Sequence, residues 1–250
     1  MAEHLTNRNF WESFWRSKTG LIFKIKENYV FGHLIADIVK KDNAKSAIEL
    51  GGFPGYYSIY FKKHLKLDTT LFDYFVSKPI IKELLEENGL KEDDITVIEA
   101  DLFTYQPQLQ YDLVSSFGLI EHFTDTKDII ARHLNFLKPG GTLFITLPNF
   151  KSVNGWVQKN FDPENYGKHN INCMDLDLLT SISKELGLKE IQCRYHGQFS
   201  VWMENKDDKS GLTKAFVKTI WYAGKITSKI LGFESKTLSP YIILHAKKGL

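Results

Sequence analysis

The residues best suited to chemistry lie in one stretch. Ala47-Ile48-Glu49-Leu50-Gly51-Gly52-Phe53-Pro54-Gly55 runs on into Tyr56-Tyr57-Ser58-Ile59-Tyr60. The pattern is an apolar strand carrying an acid near its end, a glycine turn, and the start of a helix. In an open parallel sheet this junction lies at the carboxyl edge, where nucleotide-like ligands bind. Glycines there let the backbone approach a ligand with no Cβ in the way. Two ligand classes compete for such a turn. A dinucleotide site spells G-x-G-x-x-G, so that pyrophosphate rests on the helix N-terminus. Here the glycines are Gly51, Gly52 and Gly55. The acid also precedes them, where it repels a phosphate and welcomes a ligand ammonium or a ribose hydroxyl. The spacing argues against a dinucleotide.

The elements that must position this turn can be read around it. Short apolar segments at Ser46–Leu50, Asp68–Phe72, Ile95–Glu99, Tyr111–Ser116 and Thr142–Leu147 read as strands. Helical patterns fall between them at about Tyr56–Lys66, Val76–Asn88 and Thr126–Leu137. Lys138-Pro139-Gly140-Gly141 supplies a tight turn into the fifth strand. Strands and helices alternating at this interval predict an α/β fold, a parallel sheet covered on both faces. After Leu147 the rhythm changes. Residues 149–172 are polar and aromatic, too irregular for sheet, and long loops of that kind are usually functional or disordered. A helix over Asp175–Leu186, a strand over Lys189–Val201, an amphipathic helix over about Leu212–Leu231 and a last strand over Pro240–Ala246 follow.

Composition excludes several classes. The 250 residues carry 32 Lys and Arg against 30 Asp and Glu, a formal charge of +2, so no whole-chain electrostatic footprint for nucleic acid exists. Apolar residues at 43% and charged residues at 25% are globular averages, not those of a disordered chain. Two cysteines, Cys173 and Cys193, without metal-site spacing read as reduced thiols and a cytoplasmic setting. No secretory leader and no run of about 18 apolar residues is found. All five Trp fall outside residues 46–147, so the middle and the flanks do different jobs.

The order acid and glycine turn, second acid, third acid resembles the class I S-adenosylmethionine-dependent methyltransferases, over about residues 44–150 and more loosely over the last two strands. That family's E/D-x-G-x-G-x-G is matched by Glu49, Gly51 and Gly55. Phe53 stands in place of the middle glycine with Gly52 beside it, so a Phe side chain must turn aside. The resemblance implies that Asp73, in Leu71-Phe72-Asp73-Tyr74, accepts both ribose hydroxyls. It implies that Asp101, in Ala100-Asp101-Leu102, accepts from the adenine amino group while Leu102 packs on the ring. Phe117-Gly118-Leu119-Ile120-Glu121-His122 resembles the segment that passes under the cofactor, and Leu137–Leu143 the turn into strand five. The implied cofactor is S-adenosylmethionine, held by Glu49, Gly51, Gly52, Gly55, Asp73, Tyr74, Asp101, Leu102 and Phe117. The implied fold is a Rossmann-like seven-stranded sheet of order 3-2-1-4-5-7-6 with strand seven antiparallel. Residues 1–43 would form an N-terminal helical and aromatic cap. Residues 44–250 would form the methyltransferase domain, with insertions at 149–172 and 202–237.

Methyl transfer to an oxygen needs a base, and His122 and His169 are the candidates; each also reads as an ordinary packed or solvated histidine. Asn149 either touches the acceptor or caps a turn. Some ubiquinone-pathway O-methyltransferases resemble this segment and hold a divalent ion with Glu-x-x-Glu-His. Gly118 replaces the first Glu here, so Glu121 and His122 alone make a poor site and no metal is expected. Phe10-Trp11-Glu12-Ser13-Phe14-Trp15 reads as a packing helix or as a lid, with Tyr29 and Phe31 behind it. In the 212–231 helix, Leu212, Phe216, Ile220, Ala223, Ile226 and Ile230 form one stripe, with Lys214, Lys218, Lys225 and Lys229 opposite and Trp221 on the flank. The stripe reads either as packed on the core under a solvated lysine face or as a peripheral membrane or lipid contact. The expected function is methylation of a small-molecule acceptor, O-methylation favoured, the acceptor aromatic or amphipathic. The rivals are a non-catalytic cofactor- or partner-binding protein that kept the fold, for which Phe53 speaks, and an NAD-dependent oxidoreductase, which the glycine spacing disfavours.

Overall fold

A computed structural model of the protein describes residues 5–204 and 208–250. The first four residues of the expected N-terminal cap and residues 205–207 of the expected 202–237 insertion lie outside the described residues. Seven strands form one sheet: Ser46–Leu50 (β1), Asp68–Asp73 (β2), Thr96–Glu99 (β3), Tyr111–Phe117 (β4), Leu137–Pro148 (β5), Lys189–His196 (β6) and Tyr241–Lys247 (β7). Their order is 3-2-1-4-5-7-6, β1 to β5 are parallel, and β7 runs antiparallel to both β5 and β6. This is the topology that the family resemblance implies.

Alternation along the strands builds two cores. Ala47, Leu71, Leu113, Phe144 and Ile243 face one side. There they meet Ile35 and Ile38 of Gly32–Asp42 (α2, which follows α1, Arg8–Ser17), Ile59, Tyr60 and Phe61 of Tyr56–Leu65 (α3), and Leu84 and Leu85 of Lys78–Glu87 (α4). Ile48, Leu50, Val114, Leu143, Ile145 and Leu244 face the other side, against Ile129 and Ile130 of Thr126–Asn135 (α5) and Leu179 and Ile182 of Leu176–Glu185 (α8). Central strands buried on both faces are what a parallel sheet between helical layers requires. Ile25, Phe31, Ile35 and Ile38 belong to the first of these cores, so the chain ahead of β1 is packed into the same body.

Four expectations are corrected. Lys138–Gly141 lies within β5. There Leu137 pairs with Tyr111 and Thr142 with Leu113, so the extra residues loop out of the ladder as a bulge. Residues 149–172 are largely helical, with Val153–Phe161 (α6), Pro163–Gly167 (α7) and a 3-10 turn at Ile171–Cys173. Ser152 caps α6 by accepting from Asn154 N–H, and Pro163 starts α7, local signals hidden by the polar composition. β6 ends at His196, five residues short of the expected Val201. The fourth concerns Gly211–Leu231 (α9). It is docked through Val217, Trp221 and Ser228 onto Phe199, Val201 and Met203, while Leu212, Phe216, Ala223, Ile226 and Ile230 are exposed and Ile220 is half-buried. The apolar stripe is not the packed face.

Asp112 of β4 ties together the start of β1, through backbone donors, and the bulge of β5, through an ion pair. Asp112 Oδ2 accepts from the N–H groups of Lys45 and Ser46, both at 2.9 Å, and Oδ1 accepts from Lys138 Nζ at 2.7 Å. Burial alone would raise the Asp112 pKa; the Lys138 ammonium and the backbone donors outweigh it and bring it down to about 2. Its folded pKa lies below that of the unfolded chain, so its contribution is present above about pH 4 and lost as pH falls through 2. Asp112→Ala should therefore cost about 1–2 kcal/mol at pH 7, a partly exposed charged hydrogen-bond set. Urea titrations should show the gap between variant and wild type closing as pH falls from 4 to 2; a gap independent of pH would contradict the assignment.

Candidate functional site

The β1–α3 turn is built around Glu49. Strand alternation puts its side chain on the α3 side of the sheet, 3% exposed, where Oε2 accepts from Ser58 N–H at 2.7 Å and Ser58 Oγ at 2.6 Å. Gly51 has φ +63°, which favours glycine, and its N–H donates to Phe72 O. Gly52 is required by space: a Cβ there would lie 2.4 Å from Glu49 Cγ and 2.8 Å from Leu71 Cδ1. Phe53 does turn aside. Its ring packs edge-on against Trp15 at 5.3 Å and Phe75 at 5.6 Å, while its N–H donates to Asp73 Oδ2 at 2.9 Å. Asp73 Oδ1 accepts from Phe75 N–H, and Asp101 Oδ1 from Phe103 N–H at 2.8 Å.

These three acids line one cavity of about 220 Å³. Of the expected cofactor residues, Glu49, Gly51, Gly52, Asp73, Tyr74, Asp101, Leu102 and Phe117 line it. Gly55 does not. It sits behind the turn at the start of α3 with φ +102°, its N–H on Gly52 O, and its part is to turn the chain. Trp11 and Trp15 of α1 form another wall of the cavity, so that helix both packs and covers. It is held there by Leu5 N–H on His122 O at 3.0 Å, by an Arg8–Glu99 ion pair, and by Lys18 on Glu204 at 2.9 Å.

A second cavity, of about 350 Å³, opens beside the first and is lined by aromatic residues of α1 together with Tyr29, Phe31, Phe150, Trp202 and Tyr241. Trp11, Tyr57, Phe117, Gly118 and His122 line both cavities and so mark their junction. At that junction the Tyr57 and Phe117 rings stack with centroids 3.4 Å apart. Tyr57, Ser58 and Trp202 carry no signal that singles them out in the sequence, apart from Tyr57 and Ser58 following the glycine turn.

His122 and His169 are brought together, ring centroids 4.7 Å apart, with Trp11 edge-on to His122 at 5.0 Å. His122 Nδ1 bonds Lys168 O at 3.0 Å and His169 Nδ1 bonds Asn165 O at 2.7 Å. Each Nδ1 is therefore the donor and each Nε2 keeps its lone pair. Burial, with His169 adding to it, pushes His122 down to about 3, so the expected near-neutral histidine is a neutral imidazole held in a dry wall. Burial lowers His169 as well. Glu121, 1% exposed, is pushed up to about 8 by burial, and its Oε2 has no hydrogen-bond partner among the described residues. Glu121, His122 and His169 place one carboxylate oxygen and two imidazole nitrogens within 4.8 Å of one another. That donor set suits a divalent ion better than Glu121 and His122 alone, because His169 arrives from the α7 segment. Asn149 is fully buried and caps the following turn: its Oδ1 accepts from Lys151 N–H at 3.2 Å, its Nδ2 donates to Lys236 O and Ser239 O, and it does not line the second cavity.

A seven-stranded sheet of this order, with an acid-and-glycine turn at the carboxyl end of β1 and acids after β2 and β3, defines a class I S-adenosylmethionine-dependent methyltransferase. The family model described as a methyltransferase domain matches residues 23–192, and the chain belongs to that family. It is 28% identical over 142 residues to a malonyl-[acyl-carrier protein] O-methyltransferase 2 of Ilyobacter polytropus, covering 56% of this chain; the match spans about half, 52%, of that curated relative. Among solved structures it resembles a SAM-dependent methyltransferase of Archaeoglobus fulgidus, with a TM-score of 0.54 at 15% identity over 86% of this chain and 94% of that one. It also resembles phosphoethanolamine N-methyltransferase 2 of Haemonchus contortus in complex with S-adenosyl-L-methionine, with a TM-score of 0.58 at 15% identity over 87% of this chain and 53% of that one.

The cavity suits the family's cofactor. Each Asp73 oxygen accepts one backbone N–H and keeps a lone pair for a ribose hydroxyl. Apolar Leu102, Phe103 and Phe123 supply walls for a ring. Burial pushes Glu49 up to about 8, with the Ser58 bonds opposing and Asp73 adding, and pushes Asp73 up to about 6, against the pull of its backbone donors. Folded values above unfolded ones mean that the ligand-free protein loses stability as pH rises from about 4 towards 8. A ligand carrying a sulfonium and an ammonium draws both values down, so binding at pH 7 should release protons. Calorimetry with S-adenosylmethionine in phosphate and in Tris should give different apparent enthalpies; equal enthalpies would show that neither acid changes its protonation. Gly52→Ala should weaken binding about tenfold or more by driving the new Cβ into Glu49, measured by the same titration.

Proposed function

We propose that this protein transfers a methyl group from S-adenosylmethionine to a small-molecule acceptor that is aromatic or amphipathic, with an oxygen as the favoured acceptor atom. The observation that carries the reading is the shared wall. Two cavities meet at Trp11, Tyr57, Phe117, Gly118 and His122, one with the three strand-end acids and the other with the aromatic lining. Bound S-adenosylmethionine supplies an electrophilic methyl carbon on a sulfonium. The chain's own residues do the rest by placement. Glu49, Asp73 and Asp101 orient the donor, and the aromatic rings of α1, Phe150, Trp202 and Tyr241 hold an apolar acceptor and exclude water.

His122 and His169 are the residues for the acceptor's proton. Their Nε2 lone pairs are free because each Nδ1–H is spent on a backbone carbonyl. With its pKa near 3, His122 does not ionise a hydroxyl in advance; it takes the proton as the methyl transfers and the oxygen turns acidic. Phe53, the side chain that spoke for a non-catalytic protein, lines the first cavity with its ring edge-on to Trp15 and Phe75, and on the present reading it serves as part of the cofactor wall.

Incubation of the protein with methyl-labelled cofactor and fractionated bacterial metabolites should transfer label to a compound of low mass. His122→Ala should slow that transfer by about 10²–10⁴-fold while leaving cofactor affinity within a few-fold. Label recovered only as hydrolysed cofactor, or a variant as fast as wild type, would defeat the reading.

A further inference from the structure

α9 has two apolar faces. At about 100° per residue, Val217, Trp221, Gly224 and Ser228 share one side, and that side is docked. Val217 and Ser228 are buried, and a Cβ on Gly224 would fall 2.0 Å from the Phe199 ring. On the opposite side stand Leu212, Phe216, Ala223, Ile226 and Ile230, with Leu212 85%, Ile226 62% and Ile230 77% exposed. Past the helix the stripe continues at Phe233, and beside it ring contacts run from Phe216 to Phe161 at 5.6 Å and from Phe161 to the half-exposed Trp156 at 5.7 Å. Single exposed apolar side chains are ordinary. A stripe along a 21-residue helix, opposite the face that already fastens it, calls for an occupant.

Charge decides which occupant. From Lys209 to Phe233 the chain carries five lysines and no acid. Lys214, Lys218, Lys225 and Lys229 cluster on one flank of the stripe, with Lys218 near the Tyr222 ring at 5.9 Å and Lys225 near the Trp221 ring at 5.5 Å. Among the described residues, the nearby acids pair with other side chains or stand at the margin of the helix. Asp162 pairs with Lys209 at 3.5 Å, Glu234 holds Arg194 and His196, and exposed Asp208 precedes the helix. A second copy of this chain seated stripe to stripe would bring lysine flanks together with no acid on either helix to offset them. A surface of lipid phosphates and carboxylates complements both features at once. Lysine stems lie along apolar surface with their ammonium groups at headgroup level, and Trp and Phe sit at the boundary.

We propose that α9 docks this protein onto an anionic lipid bilayer, its Leu212-to-Ile230 stripe in the headgroup–acyl boundary and its lysine flank on the headgroups. The helix lies on the membrane and does not cross it: no described helix is long and apolar enough to span one. The docking does not depend on the identity of the methyl acceptor. It does place the membrane helix against the 199–203 segment, which carries Trp202 into the second cavity.

The test is co-sedimentation of the full chain with phosphatidylcholine vesicles, neutral or containing about 30% phosphatidylglycerol. Wild type should pellet with the anionic vesicles, remain in the supernatant with neutral ones, and be released by about 0.5 M salt. Ile226→Ser with Ile230→Ser, and separately Lys218→Glu with Lys229→Glu, should each lower the bound fraction about tenfold. Thermal melts should match wild type, because these side chains are exposed. Wild type left in the supernatant with anionic vesicles overturns the proposal, as does equal pelleting of both variants. A concentration-dependent dimer that the isoleucine variant abolishes, without vesicle binding, gives the stripe to a second copy and overturns it too.

Discussion

The cofactor edge of this protein depends on one buried carboxyl. Glu49 is shut inside the sheet–helix junction and held by the Ser58 N–H and hydroxyl. Burying an acid there is costly unless it is hydrogen-bonded, and the first turn of α3 supplies the donors because helix N-termini have N–H groups to spare. The same close approach leaves no room for a Cβ at position 52 and sends the Phe53 N–H to Asp73. Turn, second acid and aromatic wall therefore follow from the placement of one side chain. The cavity is preorganised, and the Glu49 carboxyl, raised to about 8 by burial, carries a proton that a cationic ligand can displace.

At the far end of the cavity bases are withdrawn from water as well, beside the buried Glu121. His122 and His169 face each other as neutral rings, each fixed by a carbonyl on its Nδ1. Two imidazoles this close cannot both be charged, and removal from water presses the same way. The result is a dry junction with lone pairs and aromatic faces. Under the proposed function, such an environment would take up a proton late, and it favours neutral groups over a charged nucleophile.

The chain's aromatic wealth divides along the same lines. Trp11, Trp15 and Trp202 close the two cavities, Trp156 joins the exposed patch beside α9, and Trp221 helps dock that helix. A helix fastened through Val217, Trp221, Gly224 and Ser228, with Leu212, Phe216, Ile226 and Ile230 left outside, leaves most of its bulky aliphatic side chains unburied, which inverts the usual arrangement for a helix on a globular surface. Gly224 and Ser228 let Phe199 and its neighbours approach closely, and the larger side chains are freed for another surface.

The strands and the three acids were legible in the sequence because each is a local pattern, whereas the strand order came only from the family resemblance. Apolar runs of strand length stop at polar or glycine signals, and an acid at the end of a strand stays at the sheet's edge however the helices pack. Gly52 could be picked out for the same reason. What could not be read locally needed distance to be crossed. His169 meets His122 and Glu121 only because α7 folds back over the end of β4, 47 residues away in sequence between the two histidines. Burial then took His122 far from the near-neutral base its residue type suggested. Asn149 and Gly55 had plausible ligand-contacting roles by position and lost them to packing, one to the carbonyls of Lys236 and Ser239, the other to the geometry of the turn. Periodicity showed that α9 had an apolar stripe, yet which face docks depended on where Phe199 could enter. An amphipathic pattern fixes only that a helix has two unlike sides; the contacts made by the rest of the chain determine which side it buries.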